Sequence, residues 1–452
     1  MKRALTALPA LLALLLASRA ARPDSPAQPS PPAGDQPDES LLGTVEVNGS
    51  ASGLPPLPKM AIVPVYPVGM GDAVVNHVTH GDMELSGQFE VLPDDKAPPG
   101  PFTHDSALDL DAFRAEGAEY VVRVYAEATP GNSAGTQLVG EAFVPPAKKP
   151  APDAPPPKPA FRGVVPTATT EIRAASHRLV DLLLGALTGR PGGFASEMAY
   201  AEKVGRWRRI YAIDADGFDL RSVGPSGATA VSPAFGPGNQ LFYALSTDYS
   251  SFHLVFGPEA TPVPMAIPGS VMGLAFSPDH TRLGVVAMDE GKSTLWIGDN
   301  ARLAPMQTPP FANHPVFGPL GKIAYVAGSP VQRVYVDGKP ISPPGFMASA
   351  PVFCDTPQGL LLIYTVGVGA GADIIATDTS GAGVRRLTQH EGNNNYAACS
   401  PDGRLVSFFS TGKRGQGAGL FVMPIQRPWL AKKISSEVGE SLRWEPLPPV
   451  KP

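Results

Sequence analysis

The C-terminal half of the sequence repeats one pattern about every forty residues, and this repeat limits the possible folds more than any other feature. Each repeat contains a short strand, a turn rich in Pro, Asp or Gly, and a second apolar strand. Six equivalent positions, separated by 36 to 46 residues, mark the repeat: Phe235, Phe276, Phe317, Phe353, Cys399 and Trp444. A period of this length with only β character inside it is typical of the blades of a β-propeller.

The two ends of the repeat region predict how such a ring closes. The hairpin at 209–223 contains Asp-Gly, which supplies the backbone angles of a tight turn. That hairpin follows the strand 196–204 but has no inner strand, whereas Trp444 lies on an inner strand with no hairpin after it. Pairing the two ends in one blade leaves no exposed sheet edge. We therefore predict an all-β six-bladed β-propeller over 194–447, closed by the C-terminal strand.

Residues 59–190 differ from the repeat region because helices alternate with strands. The pattern predicts strands over 61–68, 88–92, 119–128 and 136–144, and helices over 73–85, 108–118 and 167–188. This alternation predicts a small α/β N-terminal domain, interrupted by a proline-rich insertion at 145–160. The last helix carries an apolar stripe with His177 beside it, and we favour a packing or capping role for this histidine over a ligand role.

The N-terminus predicts export. Lys2 and Arg3 precede an apolar stretch at 4–17, and small residues follow at Ser18 and Ala20, which is the order of a secretory signal peptide. We predict a signal peptide over 1–20, cleaved after Ala20, and a disordered, proline-rich leader over 21–58, which contains too few large apolar residues to offset the entropy of ordering. The apolar stretch is too short to cross a bilayer, so we expect an exported, soluble protein without a membrane span.

The charge of the chain limits its possible partners, and its cysteine content limits the metal sites and disulfides that it can form. The formal net charge is -5 and no run of basic residues occurs, so nucleic acid is not an expected partner. The chain has two cysteines, Cys354 and Cys399, whose spacing matches no metal-binding motif. We favour two small buried apolar residues over the alternative, a disulfide between them.

Four stretches of the sequence carry a resemblance to a known family. The stretch 385–412, RRLTQHEGNNNYAACSPDGRLVSFFSTG, resembles a TolB propeller repeat, and 177–204, HRLVDLLLGALTGRPGGFASEMAYAEKV, resembles the linker helix that leads into the first propeller strand. The segments 80–95 and 109–128 resemble the N-terminal domain of that family in the same order. The resemblance covers nearly everything from residue 60 onward.

The resemblance implies a periplasmic, non-enzymatic component of a Tol–Pal system, which supports outer-membrane integrity and cell division. In that family the propeller binds the peptidoglycan-associated lipoprotein Pal at the mouth of its channel, and the N-terminal region engages TolA. We expect a monomer whose partner-binding loops at the channel mouth are formed by Asn313, His314, Asn393, Asn394, Asn395 and Tyr396. Asn-rich stretches are also ordinary turn formers, and that interpretation remains open.

No set of residues predicts catalysis, a cofactor or a bound metal. Gly-Asn-Ser-Ala-Gly at 131–135 matches the nucleophile-elbow pattern, but a strand follows where that elbow requires a helix, so a hairpin loop is favoured. The alternative function is an exported propeller that binds or cleaves a small molecule or glycan. In that alternative, His253, His280 or His314 would act as a base in the channel.

Overall fold

The computed structural model describes residues 37–44, 53–66, 69–98, 102–148, 155–299, 302–412 and 415–446. The predicted signal peptide, most of the predicted leader and the centre of the proline-rich insertion lie outside these ranges. The helices and strands from β1 to the last blade fall within the predicted limits 59–190 and 194–447.

The N-terminal domain is a five-stranded sheet with three α-helices. Its strands lie in the order β2-β1-β3-β4-β5, where β1 runs parallel to β2 and β3, and β3, β4 and β5 are antiparallel. Their bounds are β1 Lys59–Ile62, β2 Glu90–Val91, β3 Tyr120–Thr129, β4 Asn132–Phe143 and β5 Phe161–Thr167, with α1 Met70–Leu85, α2 Leu110–Ala115 and α3 Ile172–Thr188. The sequence pattern missed β5, which contains Pro166 and forms the sheet edge, where proline is tolerated.

Alternation along the strands places helices on both faces of this sheet. Met60 and Ile62 pack with α1 and α3, while Ala61 and Val63 pack with α2. Gly140 on β4 allows α3 to approach the sheet, because a Cβ there would lie 3.0 Å from the side chain of Leu179. β3 and β4 are joined by a tight turn in which Thr129 pairs with Asn132, so the predicted hairpin at 131–135 is confirmed.

The rest of the chain forms six antiparallel sheets of four strands each. The strands of each blade are given from the inner to the outer one. Blade 1 contains β29 Glu440–Trp444, β6 Glu197–Val204, β7 Trp207–Asp214 and β8 Arg221–Val223; blade 2 contains β9 Thr229–Phe235, β10 Leu241–Ser246, β11 His253–Phe256 and β12 Thr261–Pro262; and blade 3 contains β13 Ser270–Phe276, β14 Arg282–Asp289, β15 Lys292–Asp299 and β16 Leu303–Met306. Blade 4 contains β17 Asn313–Phe317, β18 Ile323–Ala327, β19 Arg333–Val336 and β20 Lys339–Pro340; blade 5 contains β21 Ala348–Thr356, β22 Gly359–Val368, β23 Gly371–Asp378 and β24 Arg385–Arg386; and blade 6 contains β25 Asn394–Cys399, β26 Leu405–Ser410, β27 Gly419–Pro424 and β28 Lys432–Ser435.

The ring closes as the sequence predicts. The C-terminal strand β29 pairs with β6, and Trp444 lies opposite Met198. The inner strands contact one another in a closed cycle, β9–β13–β17–β21–β25–β29 and back to β9. The prediction of a six-bladed propeller closed by the last strand is therefore confirmed.

The preferred interpretation of the cysteines was wrong. Cys354 on β21 and Cys399 on β25 form a disulfide with a Cα–Cα distance of 5.5 Å. Their separation of 45 residues is one blade period, so the two cysteines lie on the neighbouring inner strands of blades 5 and 6. Cys354 follows the marker Phe353 by one residue, and Cys399 is the marker of the next blade, so the two lie near each other across adjacent inner strands. A search for local metal or disulfide motifs does not reveal this proximity.

Part of the predicted disordered leader is ordered. A 3-10 turn at Glu39–Leu42 packs on the propeller, with Leu42 fully buried among side chains of blades 4 and 5. The Glu39 carboxylate lies 3.3 Å from both Arg386 and His390. Of the helices in the described ranges, none is long and apolar enough to span a membrane.

Candidate binding site at the channel opening

An extra residue in each inner strand shapes one end of the propeller channel. All six inner strands shift register by a β-bulge at the same place. In five of them a non-glycine residue there has a positive φ: Ser232, His314, Ala350, Tyr396 and Ser441. Bulges re-aim side chains, and strained residues cluster at functional sites. The bulges therefore bring residues distant in sequence to one opening.

This opening leads into a cavity of about 390 Å³ whose lining is mixed in character. Polar, charged, aromatic and small residues all contribute to it, among them Arg208, Ser232, Met272, Asn313, His314, Tyr396, Glu440 and Arg443. The ring centroids of His314 and Tyr396 lie 6.2 Å apart. Such a mixture can accept the backbone of a partner while an aromatic side chain provides an anchor.

The charges at the opening are partly balanced. Arg208 Nε donates to Glu440 Oε1 at 2.6 Å. Burial, with a further contribution from the positive charge of Arg443, lowers the pKa of His314 to about 4, so its ring is neutral at physiological pH. Burial raises the pKa of Tyr396, so its hydroxyl stays protonated. Both aromatic side chains are thus neutral hydrogen-bonding groups.

The structure brings together three of the six residues that the sequence assigns to the channel mouth. Asn313, His314 and Tyr396 line the opening. Asn394 is fully buried, and its Nδ2 donates to the carbonyl oxygen of Ala372 at 3.2 Å, so it supports the blade and does not face the channel. Asn393 is exposed and donates its backbone N–H to Thr411 Oγ1, while Asn395 pairs with Phe409. Neither lines the opening, because only one residue of the Asn-Asn-Asn-Tyr run falls on the bulge. A binding role for any of the six remains a prediction.

The opposite end of the channel is apolar. The residues that mark the repeat all line a second cavity, of about 320 Å³: Phe235, Phe276, Phe317, Phe353, Cys399 and Trp444. On this face the α/β domain contacts blades 1 and 6. Lys432 forms an ion pair with Glu84 of α1 at 2.6 Å, and Leu179 of α3 shares one hydrophobic core with Met198 and Trp444. The His314 opening is therefore on the face away from the α/β domain.

A buried cluster of charges connects α1, α3 and blade 1 on this side. His177 Nδ1 lies 2.7 Å from Asp82 Oδ2, and Nε2 lies 3.7 Å from Asp216 Oδ2 and 3.9 Å from Asp214 Oδ2. Arg173 forms an ion pair with Asp216. Burial alone would lower the pKa of His177, but Asp82 and the other two aspartates raise it to about 9. His177 therefore joins the two domains as a cation, in agreement with the packing role favoured from the sequence.

Asp82, His177 and Asp216 lie close enough together to hold a metal ion. Their protonation and partners favour an ion-pair network instead, because a metal would have to displace the proton of His177 and compete with Arg173 for Asp216. This cluster escaped the sequence analysis because its members come from three separate elements: Asp82 on α1 lies 95 residues before His177 on α3, and Asp216 follows β7 of blade 1.

The three histidines of the enzyme alternative do not converge. His253 is exposed on β11, His280 lines the apolar end of the channel, and His314 lines the other opening.

Sequence reasoning also missed Arg208, Glu440 and Arg443. Aligning the inner strands residue by residue would have shown Arg443 as the one charged residue in its column.

Residues 44–138 match the family described as the TolB amino-terminal domain. Two curated relatives are both called Tol-Pal system protein TolB: one from Thiobacillus denitrificans, 27% identical over 190 residues, and one from Methylococcus capsulatus, 26% identical over 213 residues. The chain is therefore similar to TolB proteins, and residues 44–138 match their amino-terminal domain. The matched segments cover 39% of the Thiobacillus protein and of this chain, and 44% of both chains for the Methylococcus protein, so the chain spans less than half the length of these TolB relatives.

The fold agrees with that of a solved TolB. The crystal structure of TolB from Acinetobacter baumannii superposes with a TM-score of 0.68, covering 87% of this chain and 97% of that one. The sequence identity is 18%, so this comparison supports the TolB fold alone.

Proposed function

We propose that this chain is a non-enzymatic, periplasmic component of a Tol–Pal-type system that binds a partner protein at the channel opening of its propeller. The partner proposed is a peptidoglycan-associated lipoprotein of the Pal type, and the cellular role proposed is support of outer-membrane integrity and of cell division. The observation that carries this proposal is the bulged ring of inner strands, which gathers Asn313, His314 and Tyr396 at one accessible opening. The names of the curated relatives supply the class of system.

The character of the opening favours protein binding over chemistry. His314 is neutral, Tyr396 is protonated, and the ion pair between Arg208 and Glu440 is exposed to solvent. A base of pKa about 4 has little power to abstract a proton at neutral pH. The same groups can donate and accept hydrogen bonds to a partner backbone.

Binding of a purified Pal-type lipoprotein from the same organism tests this proposal. Tyr396→Ala and His314→Ala each remove an anchor at the opening, and we expect the Kd to rise about tenfold or more for at least one of them. Leu320→Ala is the matched control, because Leu320 is 96% exposed on the opposite face of the propeller. The proposal fails if the wild-type protein does not bind the lipoprotein, or if Leu320→Ala weakens binding as much as the opening variants.

We further propose that the N-terminal region contacts a TolA-like protein. The segment 38–44 packs on blades 4 and 5 through Leu42 and Glu39, and this contact supports the proposal. A variant that lacks residues 21–44 should lose binding to a TolA-type domain and keep binding to the Pal-type lipoprotein. Unchanged binding to both would refute this second contact.

A further inference from the structure

One ring of residues in the channel contains a single charged residue among apolar ones. The residue just before each repeat marker lines this part of the channel. Five of these positions are small or medium apolar residues, and the sixth, contributed by blade 1, is an arginine. In blade order from 2 to 6 and then 1, they are Ala234, Ala275, Val316, Val352, Ala398 and Arg443. We call this ring the waist of the channel.

Arg443 has no acidic partner within the part of the chain that the structure describes. Its Nη1 donates to the carbonyl oxygen of Leu442 at 3.2 Å. The acidic residue nearest in sequence, Glu440, is engaged by Arg208. Burial lowers the pKa of Arg443 to about 10, so the guanidinium remains charged at neutral pH. A positive charge in the middle of the propeller is therefore left without a counter-charge.

The charge is accessible from both ends of the channel. Arg443 lines the cavity of about 390 Å³ behind the His314 opening and also the cavity of about 320 Å³ at the apolar end. Asp355 at the apolar end is directed to Arg190, with a carboxylate-to-guanidinium distance of 3.6 Å, and its side chain is 66% exposed. His314 on the other side carries no charge. Solvent or a ligand must supply the anion that balances Arg443.

We infer that Arg443 anchors a carboxylate-binding site at the channel waist. A guanidinium presents a planar fork of donors that matches the two oxygens of a carboxylate. Alanine and valine walls accommodate the short apolar chain attached to such a group. One positive charge suits a monoanion, whereas phosphate sites in proteins use several donors or charges. This site does not depend on the Pal-type partner.

Saturation-transfer NMR with the full mature protein tests the inference, using sodium butyrate as the carboxylate, butyramide as its neutral counterpart and inorganic phosphate as the competing anion. Butyrate should bind and butyramide should not, with phosphate at least tenfold weaker than butyrate. Arg443→Gln should weaken butyrate binding at least tenfold. Arg443→Lys keeps the positive charge and should therefore retain part of the affinity for butyrate. Arg302→Gln removes an exposed charge outside the channel and should leave binding unchanged.

Two further measurements complete the test. Thermal melting of each variant shows whether a loss of binding reflects unfolding, and Arg443→Lys supplies an independent variant if Arg443→Gln does not fold. An acetylated tripeptide with a free C-terminal carboxylate, compared with its amidated form, distinguishes a peptide end from a free small acid as the source of the carboxylate. The inference is overturned if wild-type protein binds neither butyrate nor the free-acid peptide, if Arg443→Gln binds them as well as wild type, or if phosphate binds as tightly as butyrate.

Discussion

The junction between the domains and the waist of the channel both place charge inside the protein, but they treat it differently. At the junction, His177 lies among Asp82, Asp214 and Asp216, and Arg173 pairs with Asp216. At the waist, Arg443 shares its ring with alanine and valine and forms no ion pair with a carboxylate of the described residues. The first arrangement satisfies its charges internally, and the second leaves one unsatisfied.

This difference suggests different roles for the two sets of charges: the cluster at the junction stabilises the fold, whereas we assign Arg443 a role in binding. A buried charge with its partners in place positions two domains relative to each other, and losing one partner leaves the other uncompensated. A partly buried charge without a partner costs desolvation and gains no ion pair on folding, and we therefore assign it a role in binding. The opening proposed for partner binding and the proposed carboxylate site both lie in the channel, while the junction holds the α/β domain on the propeller.

Removing His177 should cause the largest loss of stability. His177→Ala leaves the carboxylate of Asp82, which is fully buried, without its cation. We expect the free energy of unfolding to fall by about 3–5 kcal/mol, measured by chemical denaturation. Arg178→Ala, at the exposed neighbouring position of α3, should change it by less than about 0.5 kcal/mol. Equal effects from the two variants would show that the junction charges are not stabilising.

Breaking the disulfide changes the wall of the channel without changing any charge. The resulting loss of stability should be smaller than that caused by His177→Ala. The double variant Cys354→Ser with Cys399→Ser removes a link between blades 5 and 6 that spans 45 residues. We expect the free energy of unfolding to fall by roughly 2–4 kcal/mol, as when the wild-type protein is reduced. Identical stability of oxidised and reduced protein would contradict this expectation.

The repeat and its closure were predictable from the sequence because they depend on local pattern. Phe235, Phe276, Phe317 and Phe353 recur in strand context, and Trp444 had to pair with the first blade to complete the ring. The disulfide, the junction cluster and the waist were not predicted, because each depends on which residues meet across blades or domains. Asn394 shows that the sequence pattern also fails to predict which side chains of one strand face the channel. Because of the bulge in β25, Tyr396 lines the channel opening while Asn394 is buried in the core.

Raising the pH from 7 should weaken the junction before it removes the charge of Arg443 in the channel, because the pKa of His177 is about 9 and that of Arg443 is about 10. The folded-state pKa of His177 is about 9, above its ordinary value of 6.5, so its stabilisation is complete below pH 6.5 and is lost as the pH rises through 9. Asp82 and Asp214 titrate near pH 6, because burial raises their pKa values, so the comparison should begin at pH 7. The stability difference between wild type and His177→Ala should shrink from pH 7 to pH 10. A difference that is constant across this range would mean that His177 is not charged in the folded protein.

The free energy of unfolding of Arg443→Met, measured beside that of His177→Ala at pH 7, tests the contrast between the two regions most directly. Methionine keeps much of the apolar stem of the side chain and removes the charge. The account predicts that Arg443→Met is as stable as wild type or up to about 1 kcal/mol more stable, while His177→Ala loses several times that amount. A loss in Arg443→Met as large as that in His177→Ala would show that the waist arginine serves the fold, and would contradict the assignment of the channel charge to binding.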